Sequence, residues 1–186
     1  MDFFVDDIHF NAEIDLSDTI TIQSSKKTYD VLYNSKTLDT LVTEIYLAND
    51  FIFIDRNVYN LSPTTFINIP EIGTNIFIFD AREDTKNIES VLQITDILYN
   101  INFTKKNKLI VIGGGITQDV GGFAAAIYKR GIDWVYIPTT VLSMTDSCIG
   151  SKVSINRTSK NILGMFIAPN KIFISDYFLN LSLIHI

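Results

Sequence analysis

The 186 residues of this chain suffice for one buried core, and a content of 47% hydrophobic and 19% charged residues belongs to a globular chain rather than a disordered one. A net charge of −6 argues against a general nucleic-acid surface. No apolar run approaches the roughly 18 residues needed to cross a bilayer, and MDFFVDDIHF has no basic region ahead of a long apolar one, so neither a membrane span nor a signal peptide is expected.

In chain order, Thr19 to Gln23 and Tyr29 to Leu32 read as short strands joined by the polar turn Ser24-Ser25-Lys26-Lys27, an N-terminal β-hairpin ahead of the main sheet. Asp39 to Leu47 suggests a helix, and Phe51 to Asp55 a buried strand ending on a carboxylate. Ile76 to Phe79 is another apolar run, and Asn87 to Asn100 carries Ile88, Val91, Leu92, Ile94, Ile97 and Leu98 at helical spacing. Lys105, Lys106 and Lys108 read as a solvated loop before the buried strand Leu109 to Ile112. Three glycines follow, then a helix from about Thr117 to Lys129 and a strand from Trp134 to Ile137. Strands alternating with helices of about 10 to 15 residues predict an α/β fold, a Rossmann-like, doubly wound and mostly parallel sheet. Ligands of such sheets bind beyond the carboxyl ends of the strands. Asp55, Asp80 to Lys86, the glycine triplet and Pro138 to Thr140 all fall just after strands, so one fold would bring them to a common edge.

The chemistry concentrates between Leu109 and Asn161. Gly113, Gly114 and Gly115 let a backbone approach phosphates closely, and the helix that follows turns free N–H groups and the positive end of its dipole toward the same place. The spacing is not a full GxGxxG, because Gln118 takes the place of the last glycine; a tight strand-to-helix turn is the competing reading. Asp55 suits the hydroxyls of a ribose or simply starts a turn. Glu83 and Lys86, three apart at a helix start, form either a binding pair or an exposed ion pair. Asp119 in the first turn of the glycine-led helix is suited to stabilise its N–H groups. Thr139 and Thr140 offer hydroxyl and amide donors, or cap a helix. Arg130 has the fork that matches phosphate oxygens, in a position that is otherwise an ordinary helix end before Gly131. The single cysteine, Cys148, cannot form an internal disulfide and reads as a packed or loop thiol, which fits a reducing cytoplasm.

The segment resembles the dehydroquinate synthase family of sugar-phosphate cyclases, whose pattern is GGG-x3-D-x2-GF, then RG, PTT, D-S-x-IG-x-K and KN-x2-G-x-F-x2-P. Here these elements stand as Gly113-Gly114-Gly115, Asp119, Gly122-Phe123, Arg130-Gly131, Pro138-Thr139-Thr140, Asp146-Ser147, Ile149-Gly150, Lys152, Lys160-Asn161, Gly164, Phe166 and Pro169. Glu83 and Lys86 reproduce the family's E-x-x-K, and the resemblance covers roughly residues 20 to 180. It implies NAD as cofactor, held by Asp55, Glu83, Lys86, Gly114, Gly115, Asp119, Thr139, Thr140, Leu142 and Asp146. Arg130, Asp146, Lys152, Lys160 and Asn161 would then meet the phosphate, carboxylate and hydroxyls of a small sugar-phosphate substrate. The implied reaction, in the shikimate pathway, converts a seven-carbon keto-acid phosphate to 3-dehydroquinate and phosphate, with NAD recycled as hydride carrier and a divalent metal, zinc or cobalt, as Lewis acid. A homodimer is the family's common assembly, with no membrane or nucleic-acid partner.

Relatives carry a second, largely helical domain whose glutamate and two histidines bind the metal. The chain ends in SLIHI, so the resemblance implies that 1–181 are the NAD-binding domain and 182–186 a truncated end, with catalysis by the chain alone not expected. His9 and His185 match no motif, and no metal ligand is assigned. Ser151 replaces a glycine usual before the lysine, Asn87 replaces a usual serine, and Val153-Ser154 also departs from the synthase pattern, which leaves the inosose- and valiolone-forming cyclases open. Two other readings are a metal-dependent alcohol dehydrogenase, which shares the GGG-x3-D turn, and a non-catalytic nucleotide-binding module.

Overall fold

A computed structural model describes residues 2–5, 8–11, 19–23, 27–67, 69 and 72–182. Its centre is a seven-stranded sheet. The strands are β3 (Thr19–Gln23), β4 (Thr28–Asn34), β5 (Phe51–Asp55), β6 (Ile76–Phe79), β7 (Lys108–Gly113), β8 (Asp133–Pro138) and β11 (Lys171–Ser175). They lie in the order β3-β4-β11-β8-β7-β5-β6, and all pairs are parallel except β3 with β4. Phe51 to Ile54 and Leu109 to Ile112 are wholly buried, as unbroken apolar runs must be when both faces of a parallel sheet are covered. The remaining strands form two small antiparallel pairs, β1 (Asp2–Val5) with β2 (Ile8–Asn11) and β9 (Lys152–Ile155) with β10 (Leu163–Phe166).

The crossings run both ways. From β6 through α4 (Ile88–Asn100) to β7, and from β7 through α5 (Gly115–Ile127) to β8, the chain moves toward β4. From β4 through α1 (Leu38–Ile45) to β5, and from β5 through α2 (Arg56–Leu61) and α3 (Pro63–Ile67) to β6, it moves the other way. Right-handed crossovers therefore put α4 and α5 on one face and α1 to α3 on the other, in keeping with the contacts of α4 with α5 and of α1 with α3. The reversal falls between the neighbouring strands β5 and β7, and the crevice beyond their carboxyl ends is where a doubly wound sheet binds its ligand.

α5 lies close on the sheet because two of its residues lack side chains. A Cβ at Gly121 would stand 2.8 Å from Val111 Cγ2, and one at Gly122 2.7 Å from Val153 Cγ1. The second contact also seats the β9–β10 hairpin against the helix. A last helix, α6 (Tyr177–Ser182), follows β11.

Several expectations need correction. The hairpin β3–β4 is the edge of the main sheet rather than a unit before it, because β4 pairs along its length with β11. Three of its expected turn residues, 24–26, lie outside the described residues, as does His185, and of His9 only the backbone is described. Lys105 and Lys106 are exposed as expected, but Lys108 begins β7 and pairs at 2.5 Å with the buried Asp50. α5 starts within the glycines, two residues earlier than expected. Among the described residues no helix is long and apolar enough to cross a membrane.

Candidate functional site

The crevice between β5 and β7 is an open cleft of about 710 Å³, bounded by Asp55, Gly114, Gly115, Thr117, Thr139 and Thr140 among others. α5 opens on Gly114 with no side-chain cap. Its uncapped N-terminus therefore faces the cleft with the positive end of the helix dipole. Thr139 N and Tyr136 Oη both donate to Gly113 O at 3.0 Å and fix the turn from below. Bare backbone is needed here: a Cβ at Gly113 would lie 2.5 Å from Thr117 Oγ1, and one at Gly114 3.0 Å from Thr140 Cγ2. Thr117 is fully buried and its hydroxyl has no hydrogen-bond partner, an orphaned donor beside the cleft.

Asp55 caps α2, taking a bond from Asn57 N at 2.7 Å, so the turn-starting role is filled while the residue still lines the cleft. Burial raises its carboxyl above the ordinary range, against the lowering effect of the Asn57 and Val58 amides. Thr140 likewise serves locally: its hydroxyl bonds Ser143 Oγ at 2.9 Å and accepts from Ser143 N at 3.3 Å.

A second cluster lies beside α5, where the turn after β6 meets the β9–β10 hairpin. Lys86 is 6% exposed; its ammonium donates to Asn161 Oδ1 at 2.7 Å and sits 2.5 Å from Asp119 Oδ2. Asp119 Oδ1 accepts from Ser154 N at 2.8 Å. The carboxylate thus clasps the hairpin rather than the N–H groups of its own helix. Burial raises the Asp119 carboxyl, opposed by Lys86 and by the Ser154 amide. Glu83 and Lys86 are not partnered with each other by hydrogen bond or ion pair. Glu83 accepts from Asn156 Nδ2 at 2.9 Å and stands 3.6 Å from Lys160 Nζ; the Asn156 bond, first of several causes, holds its carboxyl below the usual range.

Asn156 is the residue that sequence reasoning missed. Its side chain reaches Glu83 and accepts from Asn161 N at 2.8 Å, and its backbone N–H donates to Lys86 O at 2.8 Å. One residue therefore stitches the Glu83–Lys86 turn to the Lys160–Asn161 loop. The only local signal was an asparagine five places before another that adopts φ +57.

Leu142, Asp146, Lys152 and Lys160 are all exposed, the first two in or beside a π-helical turn, Ser143–Ser147, that follows Thr140. Such turns are rare and concentrate at functional sites. Cys148 beyond it is packed, as expected: it is fully buried, and burial pushes its thiol up to about 11. Arg130 is not brought to the site. It follows the far end of α5 and precedes β8 by two residues, at the edge of the sheet where the parallel strands begin. The 13 residues of α5 separate it from the glycine turn by roughly 20 Å. A helix that returns along the sheet must end at the opposite edge, a constraint the motif alone does not convey. No group of three or more metal-ligating side chains occurs among the described residues.

The family profile described as 3-dehydroquinate synthase N-terminal matches residues 76–183. The 3-dehydroquinate synthase of Pelagibacter ubique is 45% identical over 129 residues, 68% of this chain and 35% of the relative. That of Streptococcus pyogenes is 37% identical over 166 residues, 87% of this chain and 46% of the relative. Among solved structures, a 2-epi-5-epi-valiolone synthase from Streptomyces hygroscopicus, with NAD⁺ and Zn²⁺ bound, superimposes with a TM-score of 0.74 at 27% identity, over 85% of this chain and 46% of that one. A glycerol dehydrogenase from Schizosaccharomyces pombe reaches only 0.56 at 15% identity, a likeness of fold alone. The chain spans about half the length of these relatives or less. A profile that matches more than half of the residues, and relatives this similar, carry the conclusion: the chain belongs to the 3-dehydroquinate synthase family and corresponds to its N-terminal part.

Proposed function

We propose that this chain forms the NAD-binding half of a 3-dehydroquinate synthase, the part that holds the cofactor while a seven-carbon keto-acid phosphate loses phosphate and closes to a carbocycle. The observation that carries the reading is the cleft at the switch between β5 and β7, with an uncapped helix N-terminus, a glycine turn too tight for side chains and the unpartnered Thr117 hydroxyl. These residues fit a dinucleotide: the Gly114–Gly115 backbone would hold the pyrophosphate, and Asp55 at the end of β5 would accept from ribose hydroxyls. When bound, the nicotinamide supplies reversible hydride transfer.

The chain's own residues orient and neutralise. Asp119 has one oxygen on Ser154 N and the other on Lys86, and a carboxylate's remaining lone pairs accept from cofactor hydroxyls. Lys152, Lys160 and Asn161 stand at the open side of this cluster, two cations and an amide suited to a substrate with carboxylate and hydroxyl groups. That pairing favours the keto-acid phosphate, which carries a carboxylate besides its phosphate, over sugar phosphates that carry none. The described residues hold no group of side chains that fits a catalytic metal.

Titration calorimetry of NAD⁺ into the chain, with Asp119→Ala as control and circular dichroism to establish folding, tests the reading. Saturable binding that weakens at least about tenfold in Asp119→Ala, the worth of one charge-assisted hydrogen bond, is the expected result. A folded wild-type chain that binds no NAD⁺ removes the cofactor role, and equal affinity in a folded Asp119→Ala removes Asp119 from it.

A further inference from the structure

Gln118 stands where a GxGxxG turn has its last glycine, and its side chain is almost wholly buried, at 2% exposure. A buried amide is costly unless both of its ends are bonded. Both are, and by one residue: Gln118 Nε2 donates to Ser147 O at 2.8 Å, and Ser147 Oγ donates to Gln118 Oε1 at 2.8 Å. The pair closes a ring between two elements that chain order separates by 29 residues. On one side is the first turn of α5, which Gln118 itself closes by donating its backbone N–H to Gly114 O at 3.0 Å. On the other is the last residue of the π-helical turn Ser143–Ser147, directly after Asp146.

Packing holds the start of the π-helical turn and the residue after it, with Ser143, Met144 and Cys148 buried, but its remaining hydrogen bonds are local. Met144 N donates to Thr140 O at 3.0 Å and Cys148 N to Ser143 O at 3.1 Å, and the side-chain bonds of Ser143, Thr145 and Cys148 likewise run to Thr140, Val141 and Met144 in the same stretch of chain. Asp146 is exposed, and neighbouring Cα atoms are about 3.8 Å apart, so wherever Ser147 is pinned Asp146 must follow. Ser147 also bounds the space over the glycine turn, since beyond the chain neighbours and the helix's own backbone its Oγ, at 3.9 Å, is what a Cβ built on Gly115 would meet among the described residues.

We propose that Gln118 is a positioning residue: it locks the turn carrying Asp146 onto the glycine-led helix and so sets where that carboxylate stands relative to the bound cofactor. The proposal rests on the cofactor reading above. A glycine at 118 would leave the Ser147 hydroxyl and carbonyl without these partners, so the turn in this chain depends on an amide where the glycine pattern supplies none.

The test is amide hydrogen exchange of the ligand-free chain, reported as protection relative to unstructured peptide, beside NAD⁺ titration. Gln118→Ala is expected to lower protection of Met144 and Cys148 about tenfold, the factor one net hydrogen bond supplies, while β7 and β8 keep theirs. Ser147→Ala removes the hydroxyl bond from the less buried side and is expected to lower the same two amides severalfold; it carries the test if Gln118→Ala does not fold. Gln118→Glu separates bonding from mere filling of space. Ionised at about pH 8, its carboxylate repels Ser147 O and protection is lost; protonated at about pH 5, it donates as the amide does and protection returns. Equal protection of Gln118→Glu at both pH values, or unchanged protection in both alanine variants, overturns the lock. A wild-type affinity for NAD⁺ that persists unchanged in variants with a loosened turn overturns the positioning role, whereas absence of NAD⁺ binding in the wild type overturns the cofactor reading while the exchange data still decide the lock.

Discussion

Lys86 Nζ lies 2.5 Å from Asp119 Oδ2 with side-chain exposures of 7% and 18%, so the turn after β6 and the glycine-led helix are joined by an ion pair largely out of water. Breaking such a pair costs more than the pair itself contributes, because a buried charge is left without a partner. Lys86→Met is expected to destabilise the chain by about 3 kcal/mol near neutral pH. Asp119→Asn is expected to cost less, since Lys86 keeps its bond to Asn161 Oδ1 and gains a neutral acceptor. Denaturant unfolding measures both, and equal losses would show that the two charges do not depend on each other in this way.

The same carboxyl gives stability a pH dependence. Burial raises Asp119 above the ordinary 3.8 despite Lys86 and the Ser154 amide. A carboxyl with a raised folded-state value binds its proton more tightly when folded. Its contribution is therefore fully present below about 3.8 and is lost as pH rises through the raised value. Unfolding midpoints of wild type and Asp119→Asn, taken from about pH 4 to about pH 7, should show the wild type losing ground against the variant as pH rises. In the Lys86→Met background the loss should be steeper, because the lowering effect of the ammonium is gone. A wild type that gains on the variant over this range would contradict the burial effect.

Three glycines of α5 separate packing from binding. Alanine at a helix position ordinarily gains about 1 kcal/mol over glycine. At Gly121 and Gly122 the added methyl would meet Val111 at 2.8 Å and Val153 at 2.7 Å, so overpacking of about 1–3 kcal/mol outweighs the gain and the melting temperature should fall. At Gly115 nothing lies closer than Ser147 Oγ at 3.9 Å, so Gly115→Ala should fold at least as stably as wild type. Its methyl would stand where a pyrophosphate must approach the backbone, and NAD⁺ affinity should drop about tenfold or more. Thermal melts paired with calorimetry separate the cases. A Gly115→Ala chain that binds normally would move the phosphate site elsewhere.

The sequence showed most clearly what repeats with a period or terminates a strand. Phe51 to Asp55, Leu109 to Ile112 and Trp134 to Ile137 are visible because strands buried on both faces are unbroken apolar runs, and their carboxyl ends place Asp55, Gly114, Gly115, Thr139 and Thr140 on one edge. Long-range pairings were hidden. Nothing local in Lys171–Ser175 says that it inserts between β4 and β8, and β9 (KVSI) and β10 (LGMF), four residues each, are too short for a strand pattern to stand out from the polar loop between them. Lys86 reads as a surface lysine until the hairpin closes over it and buries it against Asp119 and Asn161. Arg130 was placed by its motif, whereas helix length and direction carry it to the other end of the sheet.

Ser151 occupies the position where the family usually has glycine, and its backbone explains the preference. It stands at φ +51, in the left-handed region that a side chain makes costly by roughly 1–2 kcal/mol. Its hydroxyl is buried without a hydrogen-bond partner, so serine gains nothing in return. Glycine would relieve both costs and give back part of the gain through greater freedom in the unfolded chain. Ser151→Gly is therefore expected to stabilise the chain by about 0.5–1 kcal/mol, and Ser151→Val, branched at Cβ, to destabilise it by more than 1 kcal/mol. Because Lys152 follows directly and its stem passes 3.3 Å from a Cβ built on Gly150, the glycine variant tests function as well. If serine holds Lys152 toward substrate, the more stable variant should bind the keto-acid phosphate less tightly in the presence of NAD⁺. Parallel unfolding and substrate titrations check both, and a Ser151→Gly chain that is less stable than wild type would place the strain elsewhere.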